Sequence, residues 1–357
     1  MLSIGIVGLP NVGKSTLFNA LTKNNVLAAN YPFATIEPNV GIVNVPDKRI
    51  NKLAEISSSV KTIPASCSFT DIAGIVRGAS EGAGLGNKFL SHIRECSAIA
   101  QVVRAFVDND VIHVEGKVDE KDDIETIRAE LCLADIMSVT KRIDNLKKES
   151  KTNPKAGIMI KELEDILIFL DKGELVSEHF NNSPESILDL QLLTAKKFIY
   201  VFNIDEDQLG DEDLKSRLQA LVPNCPCVFL SAKTEAELMD LPEDESKELL
   251  ASLGQDESGL EALIGLGYKT LGLQSYFTTG PQETRGWTIN EGWTAPQAAG
   301  VIHTDFEKGF IKAEVVDFDS FVSGNGWTGA GSSGKVRLEG KDYIMQDGDI
   351  VVFRHNS

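Results

Sequence analysis

The chain of 357 residues has little that would place it in a membrane or on nucleic acid. No apolar run approaches the about 20 residues of a membrane span, and the N-terminus MLSIGIVG has no basic segment typical of a signal peptide. Basic residues are few, 35 Lys and Arg against 53 Asp and Glu. The net charge of −18 argues against general binding to DNA or RNA, although it leaves room for a local basic patch.

Cysteine is also scarce, with five residues and no pair at the spacing of a metal site. Cys225 and Cys227 are separated by one proline, whereas a redox motif has two residues between its cysteines. Unpaired thiols are typical of a reducing compartment, so we expect a cytoplasmic protein. The hydrophobic content of 42% is ordinary for a globular chain, and this length predicts two or three domains.

The strongest motif in the chain lies at its N-terminus. An apolar strand at 2–7 is followed by GLPNVGKS, which matches G-x-x-x-x-G-K-[ST] in full, and then by the helical pattern TLFNALT. Strand, glycine loop and helix in this order predict a phosphate-binding P-loop. Backbone N–H groups and the helix N-terminus would hold the phosphates, Lys14 would reach the β- and γ-phosphates, and Ser15 would ligate Mg²⁺. The predicted phosphate contacts are Asn11, Val12, Gly13, Lys14, Ser15 and Thr16.

Two further segments lie where a protein that senses the γ-phosphate needs them. SCSFTDIAG is an apolar strand that ends at Asp71, with Gly74 three residues later. An aspartate there can hold Mg²⁺ through water, and the Gly74 N–H can contact the γ-phosphate. Thr35, in the loop segment YPFATIEPN, is suited to closing over the metal when the γ-phosphate is present. We therefore predict metal contacts at Ser15, Thr35 and Asp71, and catalytic contacts at Lys14 and Gly74.

The segment YVFNIDED stands where a guanine-binding P-loop protein would have Asn-Lys-x-Asp. Here Ile204 replaces the lysine and Glu206 replaces the aspartate. In a guanine pocket the aspartate accepts hydrogen bonds from N1–H and the exocyclic amine, a bidentate geometry that a longer side chain should spoil. Asn203 keeps a donor and an acceptor that can meet adenine N7 and N6, so we predict adenine, with retained GTP binding as the alternative. The predicted base contacts are Asn203, Ile204, Glu206 and, from LSAKTE, Ser231 and Ala232.

Apolar spacing after residue 117 predicts an antiparallel helical hairpin. Ile124, Ile127 and Leu131 begin one stripe, KTNPKAG breaks the helix, and a second stripe follows. Residues 141–161 carry seven lysine or arginine residues against two acidic ones, a net charge of +5. We predict that this hairpin tip contacts RNA phosphates, the alternative being a solvated helix face. From about residue 274 short strands and turns replace the helical pattern and indicate an interaction module.

Several segments together resemble the YchF group of Obg-like ATPases. They include GLPNVGKST, NYPFATIEPN, DIAGIVRGASEGAGLGNKFLSHIRE and TAPQAAGVIHTDFEKGFIKAEV, and the similarity covers essentially the whole chain. The resemblance implies ATP hydrolysis, association with ribosomes or ribosomal RNA, and a C-terminal TGS domain with a ubiquitin-like fold. We predict an α/β protein whose P-loop domain has a doubly wound, mostly parallel sheet. The predicted domains are a P-loop domain at 1–116 and 198–273, an inserted helical hairpin at 117–197 and a TGS domain at 274–357.

The residue that orients the attacking water is not where many GTPases have it. A glutamine often follows the glycine of D-x-A-G, but this chain has Ile75, which cannot hydrogen-bond water. The resemblance implies a histidine on a nearby loop, and DVIHVEG supplies His113. A single histidine is more often structural, so both interpretations stay open. Asn11 is a further candidate, since its carbonyl oxygen could coordinate a monovalent cation such as K⁺ beside the phosphates.

Two classes of function are compatible with these features. The first is a slow Mg²⁺-dependent ATPase, with weaker GTPase activity allowed, whose turnover resets a switch in translation or stress regulation. The second is a nucleotide-gated module that binds ribosomes or RNA and hydrolyses nucleotide only incidentally. An Obg-type GTPase is a third possibility. We expect a monomer that binds neither membranes nor DNA.

Overall fold

The computed structural model divides the chain into two compact units. The first comprises Met1–Gly41 and Ser68–Gly267, and the second comprises Ile42–Cys67 and Tyr268–Ser357. No helix within the residues that the structure describes is long and apolar enough to cross a membrane. The structure describes residues 2–23, 39–72, 85–107, 119–149, 155–180 and 185–356. The predictions for Thr35, Gly74, Ile75 and His113 lie outside these ranges.

A six-stranded sheet with the order β2-β4-β1-β5-β6-β7 lies mainly in the first unit. Strands β4, β1, β5, β6 and β7 run parallel, as predicted for a P-loop fold. All seven residues of β5 are buried, which explains why its apolar residues do not alternate with exposed polar ones, although Gln101 and Arg104 are buried polar members of the strand. The strands are β1 Ser3–Val7, β2 Val40–Asn44, β4 Ser66–Asp71, β5 Ala98–Arg104, β6 Lys197–Asn203 and β7 Cys227–Leu230.

Helices complete the first unit. The parallel strands place their carboxyl ends at one edge of the sheet, which is where ligands bind in open α/β sheets. The helices are α1 Lys14–Lys23, α3 Leu85–Glu95, α4 Glu120–Glu149, α5 Ala156–Asp171, α6 Val176–His179, α7 Glu185–Leu188, α8 Glu212–Gln219, α9 Ala232–Leu238, α10 Glu243–Ser252 and α11 Gly259–Thr270.

Helices α4 and α5 form the predicted hairpin. Their apolar stripes pack together in one cluster that includes Val139 and Ile143 of α4 and Leu163 and Ile166 of α5. Each of these side chains is buried, so the pairing has the apolar seam that the periodicity predicts. α4 ends at Glu149 and α5 begins at Ala156, and the predicted basic tip at 150–154 between them lies outside the described residues.

A buried carboxylate anchors the hairpin to the chain that enters β6. Asp135 of α4 is fully buried and accepts hydrogen bonds from the backbone N–H groups of Leu193 and Thr194 and from the Thr194 hydroxyl. Burial raises the pKa of Asp135, and these three donors oppose that effect. The carboxylate thus supplies acceptors to backbone groups that would otherwise be buried without partners.

The second unit contains a six-stranded mixed sheet with the order β11-β10-β12-β8-β9-β3. Strands β8 and β9 are antiparallel, whereas β12 and β8 run parallel. Its strands are β3 Lys61–Ile63, β8 Leu273–Thr279, β9 Glu283–Asn290, β10 Phe310–Val316, β11 Arg337–Glu339 and β12 Ile350–His355. Its helices are α2 Lys48–Ser57, α12 Ala295–Ile302, α13 Thr304–Lys308, α14 Phe318–Ser323 and α15 Trp327–Ser332. The assignment as a TGS domain with a ubiquitin-like fold stays a prediction.

An excursion from the N-terminal part of the chain completes this second unit. Residues 42–67 supply β3, which pairs with β9, and α2, whose Ile50 and Leu53 lie in one core with Phe277 and Phe321. Our sequence-based boundaries kept this excursion in the P-loop domain, and they stay a prediction. The apolar spacing of α2 indicates that one face is buried, but periodicity cannot specify which sheet that face covers.

Candidate functional site

The P-loop begins where β1 ends and has the backbone that its motif predicts. Gly13 has φ +97° and Asn11 has φ +62°, so both lie in the left-handed region. The loop leads into α1, and the Leu17 N–H donates to the Gly13 carbonyl at 2.9 Å. A Cβ atom at Gly13 would lie 2.4 Å from the Asn203 Nδ2. Glycine is therefore required here both by backbone conformation and by close approach.

Lys14 is held at the start of α1 with its side chain only 8% exposed. Its ammonium group donates to the Leu9 carbonyl at 2.8 Å, so the lysine lies folded along the loop. Burial lowers the pKa of Lys14, while the negative charge of Asp71 opposes this shift. The loop therefore holds a cation at the carboxyl edge of the sheet, beside the carboxylate predicted to serve the metal.

Asp71 ends β4, as predicted, and its carboxylate fits a metal site. Its Oδ1 is buried and has no hydrogen-bond partner among the described residues. Burial raises the pKa of Asp71 and the nearby Lys14 lowers it. Ser15 and Thr16 are exposed, so both hydroxyls are accessible from solvent. A buried carboxylate oxygen and an accessible hydroxyl on the P-loop are oxygen donors that suit Mg²⁺, which is usually held by few protein ligands together with waters and phosphates.

No group of three or more histidine, cysteine or acidic side chains that could hold a metal occurs within the ranges given above. A structural zinc site would need such a cluster. A metal shared with substrate phosphates needs only one or two protein oxygens, which Asp71 and Ser15 can provide. The donor set of the described residues therefore fits Mg²⁺ better than a protein-enclosed transition metal.

Asn203 connects the P-loop to the loop after β7. Its side-chain amide is 5% exposed and donates to the Val12 carbonyl at 3.0 Å, while its Oδ1 accepts from the Ala232 N–H at 2.9 Å. An amide has two hydrogens and its oxygen two lone pairs, so one of each remains for a base. For Asn203 the sequence predicted base contacts only, and the structure adds this bridging role.

The other residues predicted for the base also lie at this end of the pocket. Ile204 is 1% exposed, and its N–H is already bonded to the Leu230 carbonyl at 2.9 Å. Ser231 is buried and caps α9. Glu206 is exposed, and its Oε2 accepts a hydrogen bond of 3.3 Å from the Thr234 hydroxyl. The described residues predicted for the base thus line the same pocket as most of the P-loop, whereas Val12 and Asp71 are not among its lining residues.

The pocket has a volume of about 1420 Å³, and several of its lining residues were not predicted from the sequence. Phe106 and Val107 follow β5 and line it. The buried Arg104 guanidinium lies 4.4 Å from the Phe106 ring centroid, and the Val107 N–H donates to Asp205 at 3.1 Å. An aromatic ring at a strand end beside the P-loop was the available signal, because bases bind against flat apolar surfaces.

Comparisons with known proteins cover both ends of the chain. The family model described as a 50S ribosome-binding GTPase (MMR_HSR1) matches residues 3–141. The YchF-GTPase_C model, described as a protein of unknown function (DUF933), matches residues 273–356. These matches fall on the P-loop side and on the C-terminal sheet, in agreement with the two kinds of fold described above.

Full-length relatives and a solved structure agree with these matches. The chain is 50% identical to the ribosome-binding ATPase YchF of Bacillus subtilis, with 99% of each chain covered. It is 42% identical to Obg-like ATPase 1 of Gallus gallus, covering 100% of this chain and 93% of the relative. The structure of the Schizosaccharomyces pombe YchF GTPase aligns with a TM-score of 0.86 at 39% identity, covering 99% of this chain and 97% of that one. The chain therefore belongs to the YchF family.

Proposed function

We propose that this chain is a cytoplasmic Mg²⁺-dependent ATPase that binds ribosomes and uses its nucleotide state as a switch in translation or stress regulation. The observation that carries this proposal is the phosphate end of the site. There, the carboxyl edge of one sheet carries Gly13 with its left-handed backbone, the buried Lys14, and Asp71, whose Oδ1 has no partner among the described residues. The names of the Bacillus and Gallus relatives, which call those proteins ATPases, support the same activity here.

Each residue of the phosphate end has a defined task in this proposal. Backbone N–H groups of the P-loop orient the triphosphate, and Lys14 leaves the Leu9 carbonyl to neutralise its β- and γ-oxygens. Ser15 and Asp71 would hold Mg²⁺, the latter through water, and the bound ion would supply further charge neutralisation between the phosphates. Thr35, Gly74 and His113 keep their predicted contacts to metal, γ-phosphate and water. Asn11 stays our candidate for a K⁺ contact.

The base end supports ATP over GTP. Guanine would need a donor for O6, but the Ala232 N–H is directed to Asn203 Oδ1. Adenine can use the remaining hydrogen of the Asn203 amide at N7 and its remaining oxygen lone pair at N6. Glu206 is bonded to Thr234 and is not preorganised for the bidentate contact that guanine requires. The remaining lone pair of Asn203 Oδ1 therefore suits the N6 amine of adenine, where guanine would place the lone pairs of O6.

ATP should bind at least about tenfold tighter than GTP, a difference of about 1.4 kcal/mol. The physical reason is the mismatch between guanine O6 and N1–H and the groups that Asn203, Ala232 and Glu206 present. Parallel calorimetric titrations of ATP and GTP in Mg²⁺ buffer measure it, with EDTA replacing Mg²⁺ as the metal-removal control. Equal affinities would contradict adenine selection and favour the alternative of a GTPase, the activity named for the Schizosaccharomyces relative.

Ribosome binding should depend on the hairpin tip. Lys147 and Lys148 lie in the last turn of α4, and Lys151 follows outside the described residues. Reversing all three to glutamate should weaken ribosome binding at least about tenfold and flatten its salt dependence, because fewer counterions are released. Co-sedimentation with ribosomes over a range of salt concentrations measures both effects, while ATP hydrolysis without ribosomes should stay near the parent rate.

A matched control is a second triple variant that makes the same change in charge at another place on the protein. Lys121, Lys172 and Lys197 are exposed lysines of the same unit outside the tip, and their reversal changes the net charge by the same amount. This variant should sediment like the parent protein. If the tip variant also sediments like the parent at every salt concentration, the tip is a solubilising surface.

Single-turnover hydrolysis with and without ribosomes separates an ATPase switch from a binding module, since only the switch requires ribosomes to stimulate ATP hydrolysis.

A further inference from the structure

Thr234 contacts the carboxylate at the base end, and it is a residue of the LSAKTE segment for which no base contact was predicted. It lies in the first turn of α9 and is 2% exposed. Its hydroxyl donates to Glu206 Oε2 at 3.3 Å, and its backbone N–H donates to the Ser231 hydroxyl oxygen, which caps the helix. The helix cap therefore fixes the position of Thr234, and Thr234 in turn holds Glu206.

Glu206 needs such a contact because its own surroundings leave it free to move. It begins a short 3₁₀ turn at Glu206–Gln208 and is exposed at the pocket. A glutamate has one more rotatable bond than an aspartate, so its carboxylate can reach several positions around a base. A hydrogen bond from a buried hydroxyl uses one of its acceptor sites and directs it towards α9.

The direction of the carboxylate decides which base it favours. Guanine presents two donors, N1–H and the exocyclic amine, which a freely placed carboxylate would accept. Adenine presents an unprotonated N1 at the corresponding edge, so the same carboxylate would face a lone pair there. Holding Glu206 against α9 removes the gain for guanine and avoids the repulsion with adenine.

We propose that Thr234 is a specificity-determining residue, which positions Glu206 so that the pocket selects adenine over guanine. This inference rests on the proposed ATPase function. Thr234 acts through Glu206 and has no assigned contact with the nucleotide, so it is a positioning residue. Its effect belongs to binding, and hydrolysis of bound ATP should depend on it little.

The test compares Thr234→Val with Thr234→Ser, using ATP and GTP as probes in Mg²⁺ buffer. Valine has nearly the shape of threonine but no donor, so it should release Glu206 and shift the ratio of the two dissociation constants about tenfold towards GTP. Serine keeps the hydroxyl and should retain the parent ratio. The valine variant should lower KM for GTP while kcat for ATP stays near the parent value, a split that a general loss of packing would not produce.

Two further variants keep the test decisive if valine disturbs the buried site. Glu206→Asp shortens an exposed side chain out of reach of Thr234 while preserving the charge, and it should shift the ratio in the same direction. In a Glu206→Ala background, Thr234→Val should have no effect on the ratio. An unchanged ratio in both Thr234→Val and Glu206→Asp, or an equal effect of valine without Glu206, overturns the proposal.

The parent protein separates this inference from the function on which it rests. If the parent binds GTP as tightly as ATP, adenine selection fails, whatever the variants do. If the parent prefers ATP and the variants leave that preference intact, only the role of Thr234 fails. Thermal unfolding of each variant verifies that a changed ratio arises in folded protein.

Discussion

Replacing Gly13 by alanine is expected to weaken ATP binding at least about a hundredfold, or about 2.7 kcal/mol. Alanine at φ +97° is strained by about 1–3 kcal/mol. Its Cβ would lie 2.4 Å from Asn203 Nδ2, which cannot retreat without losing its bonds to Val12 and Ala232. The substitution should therefore displace both the phosphate loop and the bridge to the base end. Calorimetric titration with ATP measures the loss.

Gly157→Ala is the matched control for this substitution. Gly157 lies in α5, its φ is outside the left-handed region, and a Cβ there meets no atom within 4 Å. Alanine should leave ATP affinity unchanged and stabilise the helix by up to about 1 kcal/mol. Parent-like ATP affinity in Gly13→Ala would show that the loop adopts a different conformation when the nucleotide binds.

Replacing His113 by alanine is expected to lower kcat about 10- to 1000-fold while ATP affinity stays near the parent value. A group that orients or deprotonates the attacking water acts mainly in the transition state, so its loss appears in kcat. The motivation is Ile75, an aliphatic side chain where many GTPases have a glutamine that orients water. Single-turnover hydrolysis together with an independent measurement of the ATP dissociation constant separates the two effects.

His303→Ala controls for the loss of an imidazole elsewhere in the chain. His303 belongs to the second unit, where it is exposed and accepts a hydrogen bond from the Asp305 N–H at the start of α13. This variant should hydrolyse ATP at the parent rate. An unchanged kcat in His113→Ala, or a decrease that weaker ATP binding explains in full, would remove His113 as the residue that orients water.

Local sequence patterns were sufficient to predict those elements whose shape depends on contacts between residues close in sequence. The P-loop could be predicted because eight consecutive residues specify a backbone shape, and Gly13 has the positive φ that this shape requires. The paired stripes of α4 and α5 could be predicted because helical periodicity marks the buried face directly. The position of Asp71 could be predicted for a similar reason, since it ends an apolar strand next to the P-loop strand.

Contacts between segments distant in sequence were decided only by the tertiary structure. The amide of Asn203 bridges Val12 and Ala232, and no pattern within β6 indicates that bridge. The placement of α2 under the second sheet depends on shape complementarity with Phe277 and Phe321, which a stripe of apolar residues does not encode.

At the base end, too, some features could be predicted from the sequence and others depend on the fold. The replacement of aspartate by Glu206 was evident in the sequence and predicted a changed base preference. The Thr234 hydroxyl that holds this glutamate comes from a helix 28 residues later, and its direction depends on the cap of α9. The chemical groups at the base end could be predicted from the residue types alone, whereas the fold establishes which of them are already hydrogen-bonded and which remain for the nucleotide.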